Sequence, residues 1–232
     1  MAYNFLGLVN NINERVNETP LTEANFASAT GFYSTAKQAI NSAVRHINSQ
    51  QYEWPFNHVT AEDVLTAGMT RYPYPYDAKT VDFDTFRVPA DTTLGNSTRK
   101  LRILSYEDYL ETYLDHEYNT DKNALPWGVF RTPDGGFGLV PTPDQDYELV
   151  YEYYRNPVDL QLATDVPGIP EQFRHVLIDG AMYYVYLFRN STDEAQLTYQ
   201  LFDGGVKSMR SLYVNRYDYL RDTVIERGYN RY

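Results

Sequence analysis

No cysteine occurs among the 232 residues, so disulfides and thiolate metal sites are excluded, and folding in a reducing cytosol is the expectation. Histidine is scarce. His46, His58, His116 and His175 are the four present, and none stands in an H-E-x-x-H or similar ligand array. Asp115 to Asp121, "DHEYNTD", is the best metal candidate and reads better as a solvated loop. "GGFG" lacks the strand–glycine–helix setting of a dinucleotide loop, and neither G-K-[ST] nor a G-x-S-x-G elbow occurs. No segment is long and apolar enough to span a bilayer, and "MAYNFLGLVNNINER" has neither the basic start nor the apolar run of a signal peptide. A soluble product, assembled in the cytoplasm with no membrane partner, is expected.

Catalytic carboxylates are no better supported. Glu148 and Glu152 in "YELVYEYYR" would share one face of a strand, but the strand rise separates them by about 13 Å, too far for either glycosidase geometry. The chain reads as a non-enzyme, with no cofactor and no metal.

What the chain does hold is tyrosine, 23 of them against 11 phenylalanines. A tyrosine has a large apolar face and a polar tip, which suits a surface that is wet before assembly and covered afterwards. Core filling and sugar stacking are the alternatives. Net charge is −11, which disfavours coating nucleic acid. From Val206 to Tyr232 there are six basic residues against three acids, so that end is +3 and the remainder −14. The basic end is either a solvated helix face or an arm that docks on an acidic partner.

Along the chain, Phe5, Leu8, Val9, Ile12 and Val16 recur at helical spacing up to the "NETP" break. Thr22 has the character of an N-cap, and Phe26, Ala29, Tyr33, Ala36, Ile40, Ala43 and Ile47 predict a second helix that ends near "YEWPF". Short aromatic and β-branched runs then follow. "RYPYPYDAKTVDFDTFRVP" suits an edge strand, a turn and a second strand. "SYEDYLETYLDHEY" predicts a short helix capped at Ser105. "WGVFRTPDGGFGLVPTP" predicts a hairpin turning at Asp134-Gly135-Gly136. "YELVYEYYR" predicts a strand with Tyr147, Leu149, Tyr151 and Tyr153 on one face.

Helical texture returns at Pro170, set at the first-turn position that proline favours. Phe173, Val176, Leu177, Gly180, Ala181, Tyr184 and Phe188 form one wide face, while Ile178, Met182, Tyr183 and Tyr186 lie towards another side. "STDE" predicts a capping box from Ser191 to Glu194 that opens a further helix through Leu197, Leu201 and Phe202. Gly204-Gly205 is expected to interrupt that helix. The fold class is therefore α+β. A helical bundle body (1–52 and 158–205) carries an inserted, mostly antiparallel β module (53–157), and 206–232 form an extended C-terminal helix or arm.

The order of these segments resembles the head–tail connector adaptor proteins of tailed bacteriophages, particularly those of short-tailed phages that form the ring beneath the portal. The resemblance rests on P-x-P-D-x-x-Y-x-L-x-x-x-Y from Pro141 to Tyr153, and on D-x-P-x-I-P-E-x-F-x-x-x-L-I-x-G-A from Asp165 to Ala181; "DEAQLTYQLFDGGVKSMRS" then follows. It implies a structural virion protein of the neck or tail, without catalysis. Such a protein assembles as a dodecameric homo-oligomer, docks on the portal protein after DNA packaging and prevents leakage. Its other face meets tail nozzle or tube proteins and, in some phages, tail fibres.

A ring requires each copy to hide two different patches, the same two meeting head to tail. Met182, Tyr183 and Tyr186 are the candidate subunit contacts. Arg216, Tyr217, Arg221, Arg227, Tyr229 and Tyr232 are the candidate portal contacts, because Arg and Tyr dominate interface hot spots. An acidic wall would let DNA pass through the channel without specific binding. Two rival readings are another tail-tube or nozzle component, and a carbohydrate-binding module that uses β-region tyrosines as stacking platforms.

Overall fold

A computed structural model of the chain describes residues 2–89 and 98–213. Asn4 opens the first helix, α1 (Phe5–Arg15), its side chain accepting from the Gly7 amide at 2.8 Å. The "NETP" stretch closes it through Asn17, held at φ 59°. Glu18 N–H reaches the Asn13 carbonyl and Asn17 N–H the Glu14 carbonyl, the paired bonds of a Schellman end.

The second predicted helix is in fact two. Thr22 makes no side-chain cap bond, and α2 (Glu23–Phe26) is a single turn. The chain then reverses through Gly31, at φ 66° and ψ −130°, before α3 (Phe32–Ser49) begins. A left-handed residue cannot lie inside a helix, so the periodicity that runs across it misleads. Phe26 instead packs edge-on against Phe5 at 5.1 Å, and the Lys37 ammonium donates to its carbonyl. "YEWPF" turns back at the far end of α3. The buried Trp54 indole donates to the Ile47 carbonyl at 2.9 Å, satisfying one of the helix's last acceptors.

Residues to Phe56, with those from Pro157 onward, form one compact unit, and Asn57–Asn156 form the other. In the second unit, β1 (His58–Leu65), β3 (Ala78–Pro89), β4 (Thr98–Lys100) and β8 (Tyr147–Arg155) make an antiparallel sheet in the order β1-β8-β3-β4. The other sheet runs β2-β7-β6-β5, from β2 (Arg71–Pro73), β5 (Arg102–Leu104), β6 (Gly128–Thr132) and β7 (Gly136–Val140). The proline-bearing β2 is an edge strand, as expected of a residue that cannot donate to the ladder. β6 and β7 form the predicted hairpin, with Gly135 at φ 84°.

β5 and β6 pair in parallel, which requires a crossover. The "SYEDYLETYLDHEY" segment supplies it as α4 (Tyr106–Asp108), a π-helical turn and α5 (Asp115–Tyr118), with Ser105 capping the Asp108 amide at 3.0 Å. The two sheets share a core in which Phe86 of β3 stacks on Tyr151 of β8 at 4.6 Å and meets Phe137 of β7 edge-on.

In the helical unit, residues 157–169 form a strap without regular structure. Phe5 and Leu6 N–H groups, orphaned at the start of α1, donate to the Asp165 and Ala163 carbonyls. The Asn41 side chain of α3 takes both the N–H and the carbonyl of Leu160, each at 3.0 Å. Pro170 then precedes a 3-10 turn, Glu171–Phe173, and stands just outside α6 (Arg174–Phe188), one turn earlier than the sequence pattern suggests.

Asn190, at φ 56°, ends α6 with the same Schellman pairing, Ser191 N–H to the Tyr186 carbonyl and Asn190 N–H to that of Leu187. The final helix, α7 (Thr192–Tyr213), runs without a break. The expected interruption at Gly204-Gly205 does not occur, because Gly205 serves close packing. A Cβ there would sit 2.7 Å from the Val176 side chain of α6, and one on Gly180 would sit 2.6 Å from the Phe202 ring of α7.

The two adjacent glycines therefore predict opposite effects. Nothing lies within 4 Å of a Cβ at Gly204. Gly204→Ala should raise stability by about 0.5–1 kcal/mol through lower chain entropy in the unfolded state. Gly205→Ala should lower it by about 1–2 kcal/mol, because stiff, buried Val176 cannot swing aside. Urea unfolding monitored by circular dichroism reads both, as midpoints shifted in opposite directions.

Candidate functional site

α6 lies among three helices of its own unit. Val176 and Gly180 face α7; Tyr184 reaches α3; Asp179 accepts from Arg15 of α1 at 2.9 Å. This corrects one expected subunit contact. Met182 is 2% exposed and belongs to the core to which α1, α3, α6 and α7 all contribute, as does Ile178. Tyr183 and Tyr186 are half-buried. Tyr183 packs on Tyr199 of α7 at 5.1 Å, and Tyr186 lies against the core. The tyrosine side of α6 is thus largely covered from within.

The junction of α3, α6 and α7 centres on His46. Its ring lies 4.9 Å from that of Phe202, with Tyr184 and Tyr199 edge-on at 6.5 and 6.4 Å. The Gln50 side-chain amide lies 3.4 Å from Nε2 and the Tyr184 hydroxyl 3.1 Å from Nδ1, so both ring nitrogens have polar neighbours. Burial lowers the His46 pKa, partly opposed by the Asp203 carboxylate, and burial raises that of Tyr184.

The last residues of α6, Leu187 and Phe188, are exposed, so Phe188 does not join the buried face expected of it, and further uncovered apolar surface lies on α7 and the strap. On α7, Ala195, Phe202, Val206 and Met209 turn inward. Leu197, Leu201, Gly204, Ser208 and Leu212 occupy a separate arc about 80° wide. The three leucines are 60–66% exposed. On the strap, Val158, Leu162 and Val166 recur at four-residue intervals and are 62–75% exposed. Both acids of the strap are engaged. Asp159 holds Arg45 through two bonds of 2.9 and 2.8 Å, and Asp165 accepts from the Gln161 and Leu162 amides. The hydrogen bonds to these amides hold the Asp165 carboxyl below its usual pKa. The strap's outer edge is therefore apolar, with the Asp159 charge paired and the Asp165 carboxylate ionised beside it.

Neither patch was singled out from the sequence. A wheel drawn for α7 would have separated Leu197 and Leu201 from Phe202; the strap has no regular structure on which its four-residue spacing would define a face. The candidate portal contacts Arg216, Tyr217, Arg221, Arg227, Tyr229 and Tyr232 lie outside the described residues.

In the β unit, polar groups serve the fold. Glu117 of the "DHEYNTD" stretch pairs with Arg71 at 3.0 Å and accepts from the Tyr109 hydroxyl, while Asp115 pairs with Lys122. Glu152 meets His58 at 3.0 Å. No group of three or more metal-ligating side chains occurs among the described residues. Tyr151 and Tyr153, which a sugar-stacking platform would display, are buried, and their hydroxyls donate to Asp63 and Asp77.

A helical unit interrupted by a two-sheet insertion, with exposed apolar patches on the helical unit, defines a protein of α+β class. The chain matches the SU10 adaptor protein family over residues 3–225 and belongs to it. No curated protein matches it. Membership makes it a phage adaptor, a component of the virion neck, and implies association with portal and tail proteins and with further copies of itself. Among the described residues no helix is long and apolar enough to cross a membrane.

The His46 junction predicts a pH dependence. A histidine whose folded pKa is depressed stabilises the fold above its unfolded value, and that contribution is lost as pH falls below about 6.5 towards the folded value. The unfolding midpoint should drop between pH 7.5 and 5.5, and His46→Gln should flatten that drop. An unchanged pH profile in the variant would show that other groups govern it.

Proposed function

We propose that this adaptor forms a ring of twelve copies beneath the portal, seals the channel after DNA packaging and presents its other face to tail nozzle or tube proteins, with tail fibres as a further possible attachment. Family membership across nearly the whole chain carries this reading. The charge distribution supports it: residues 1–205 carry −14, and a wall of that sign lets DNA slide past without gaining cations to replace its counterions.

The basic, aromatic terminus from Arg216 to Tyr232 is the part we assign to the portal, with Arg216, Tyr217, Arg221, Arg227, Tyr229 and Tyr232 as the contacts. Arginine and tyrosine are residue types from which interface hot spots are built, and the net positive charge of this end suits an acidic partner surface.

Mixing the purified protein with portal particles of the same phage and imaging them by electron microscopy should show a ring of added density on the portal. A chain that stays monomeric and ignores portal would end the proposal. Removing residues 216–232 should abolish docking while leaving the far-ultraviolet circular dichroism spectrum intact; unimpaired docking would relieve that segment of its assigned role.

A further inference from the structure

We infer that the neighbouring copies of the ring meet through two specific patches: the outer arc of α7 (Leu197, Leu201, Leu212) on one copy and the strap edge (Val158, Leu162, Val166) on the next. This rests on the ring reading above and names its subunit contact.

Both patches belong to the helical unit, so their relative placement is set by one packed core. They lie on different sides of it. α3 meets α7 through His46 and meets the strap through Asn41 and Arg45. Those two residues sit about 100–140° further round the helix. A patch on α7 and a patch on the strap therefore cannot cover one another within a single copy. Two copies related by a twofold axis would bury one patch twice and leave the other open. Head-to-tail contact covers both on every copy, and repeats around a closed ring.

Charge points to a second copy as the occupant. Copies that each carry −11 repel over most of their surfaces. The α7 arc contains no ionisable residue from Leu197 to Leu212; on the strap Asp159 is paired with Arg45, and Asp165, bonded to backbone amides, is the charge that remains. These are weakly charged places at which like-charged copies can approach. Gly204 and Ser208, small and exposed between the leucines, let a neighbouring backbone come close.

The chain has no cysteine of its own, so the thiol introduced is the only one each copy carries. Variants with one substitution (Leu197→Cys, Leu201→Cys or Leu212→Cys) are mixed with variants carrying Val158→Cys, Leu162→Cys or Val166→Cys. They are assembled on portal particles and treated with a short bis-maleimide. All six positions are exposed, and circular dichroism verifies folding.

Mixed pairs should yield covalent dimer enriched on the order of tenfold over either variant alone, because docking raises the local thiol concentration to the mM range. Rings seen by microscopy without mixed dimers would overturn this contact and leave the ring reading standing. Dimers from the α7 variants alone would mean a twofold contact and also overturn it. Failure of both rings and dimers would remove the contact together with the reading beneath it.

Discussion

The close approach of α7 to α6 governs the helical unit. Two glycines make it, Gly180 beneath the Phe202 ring and Gly205 beneath Val176, so each helix gives up a side chain where the other inserts one. With α7 held there, Phe202 and Tyr199 reach His46, and three helices are tied at one point. The inward residues Phe202, Val206 and Met209 occupy one side of α7, and the leucines 197, 201 and 212 are left facing out. The surface available for assembly is in this sense a by-product of how tightly the core closes.

Some of this was legible beforehand. The α6 helix, strand β8 and the β6–β7 hairpin announce themselves because a burial period and a turn residue agree: Val176, Leu177, Gly180 and Ala181 in the first, Leu149, Tyr151 and Tyr153 in the second, Gly135 in the third. The boundaries of helices were less so. Periodicity carried across Gly31 because the residues on either side keep a three- and four-residue rhythm, while the backbone reversal is written in one glycine. Gly204-Gly205 misled in the other direction, where glycine marks proximity and not a break.

Non-local features were the hardest. Parallel pairing of β5 with β6 depends on a crossover of some twenty residues and leaves no local mark on either three- or five-residue strand. Met182 stands on a helix that is apolar nearly all round, and a wheel cannot say which side is covered by the chain itself and which by a partner. The strap has no helix or strand to give its spacing meaning. Its path is set by Asn41 and by the first amides of α1, partners more than a hundred residues away in sequence.

The insertion has a consequence of its own. Its first and last strands are paired from His58 opposite Tyr154 onward, so the chain leaves and returns at neighbouring points. Adjacent paired strands lie only about 5 Å apart. A host fold need provide nothing more than two nearby chain ends to accommodate such a cassette. The β unit can therefore be lengthened, trimmed or exchanged over evolutionary time without reshaping the scaffold that bears it, leaving one part of the molecule free to follow changing neighbours while the other stays the same.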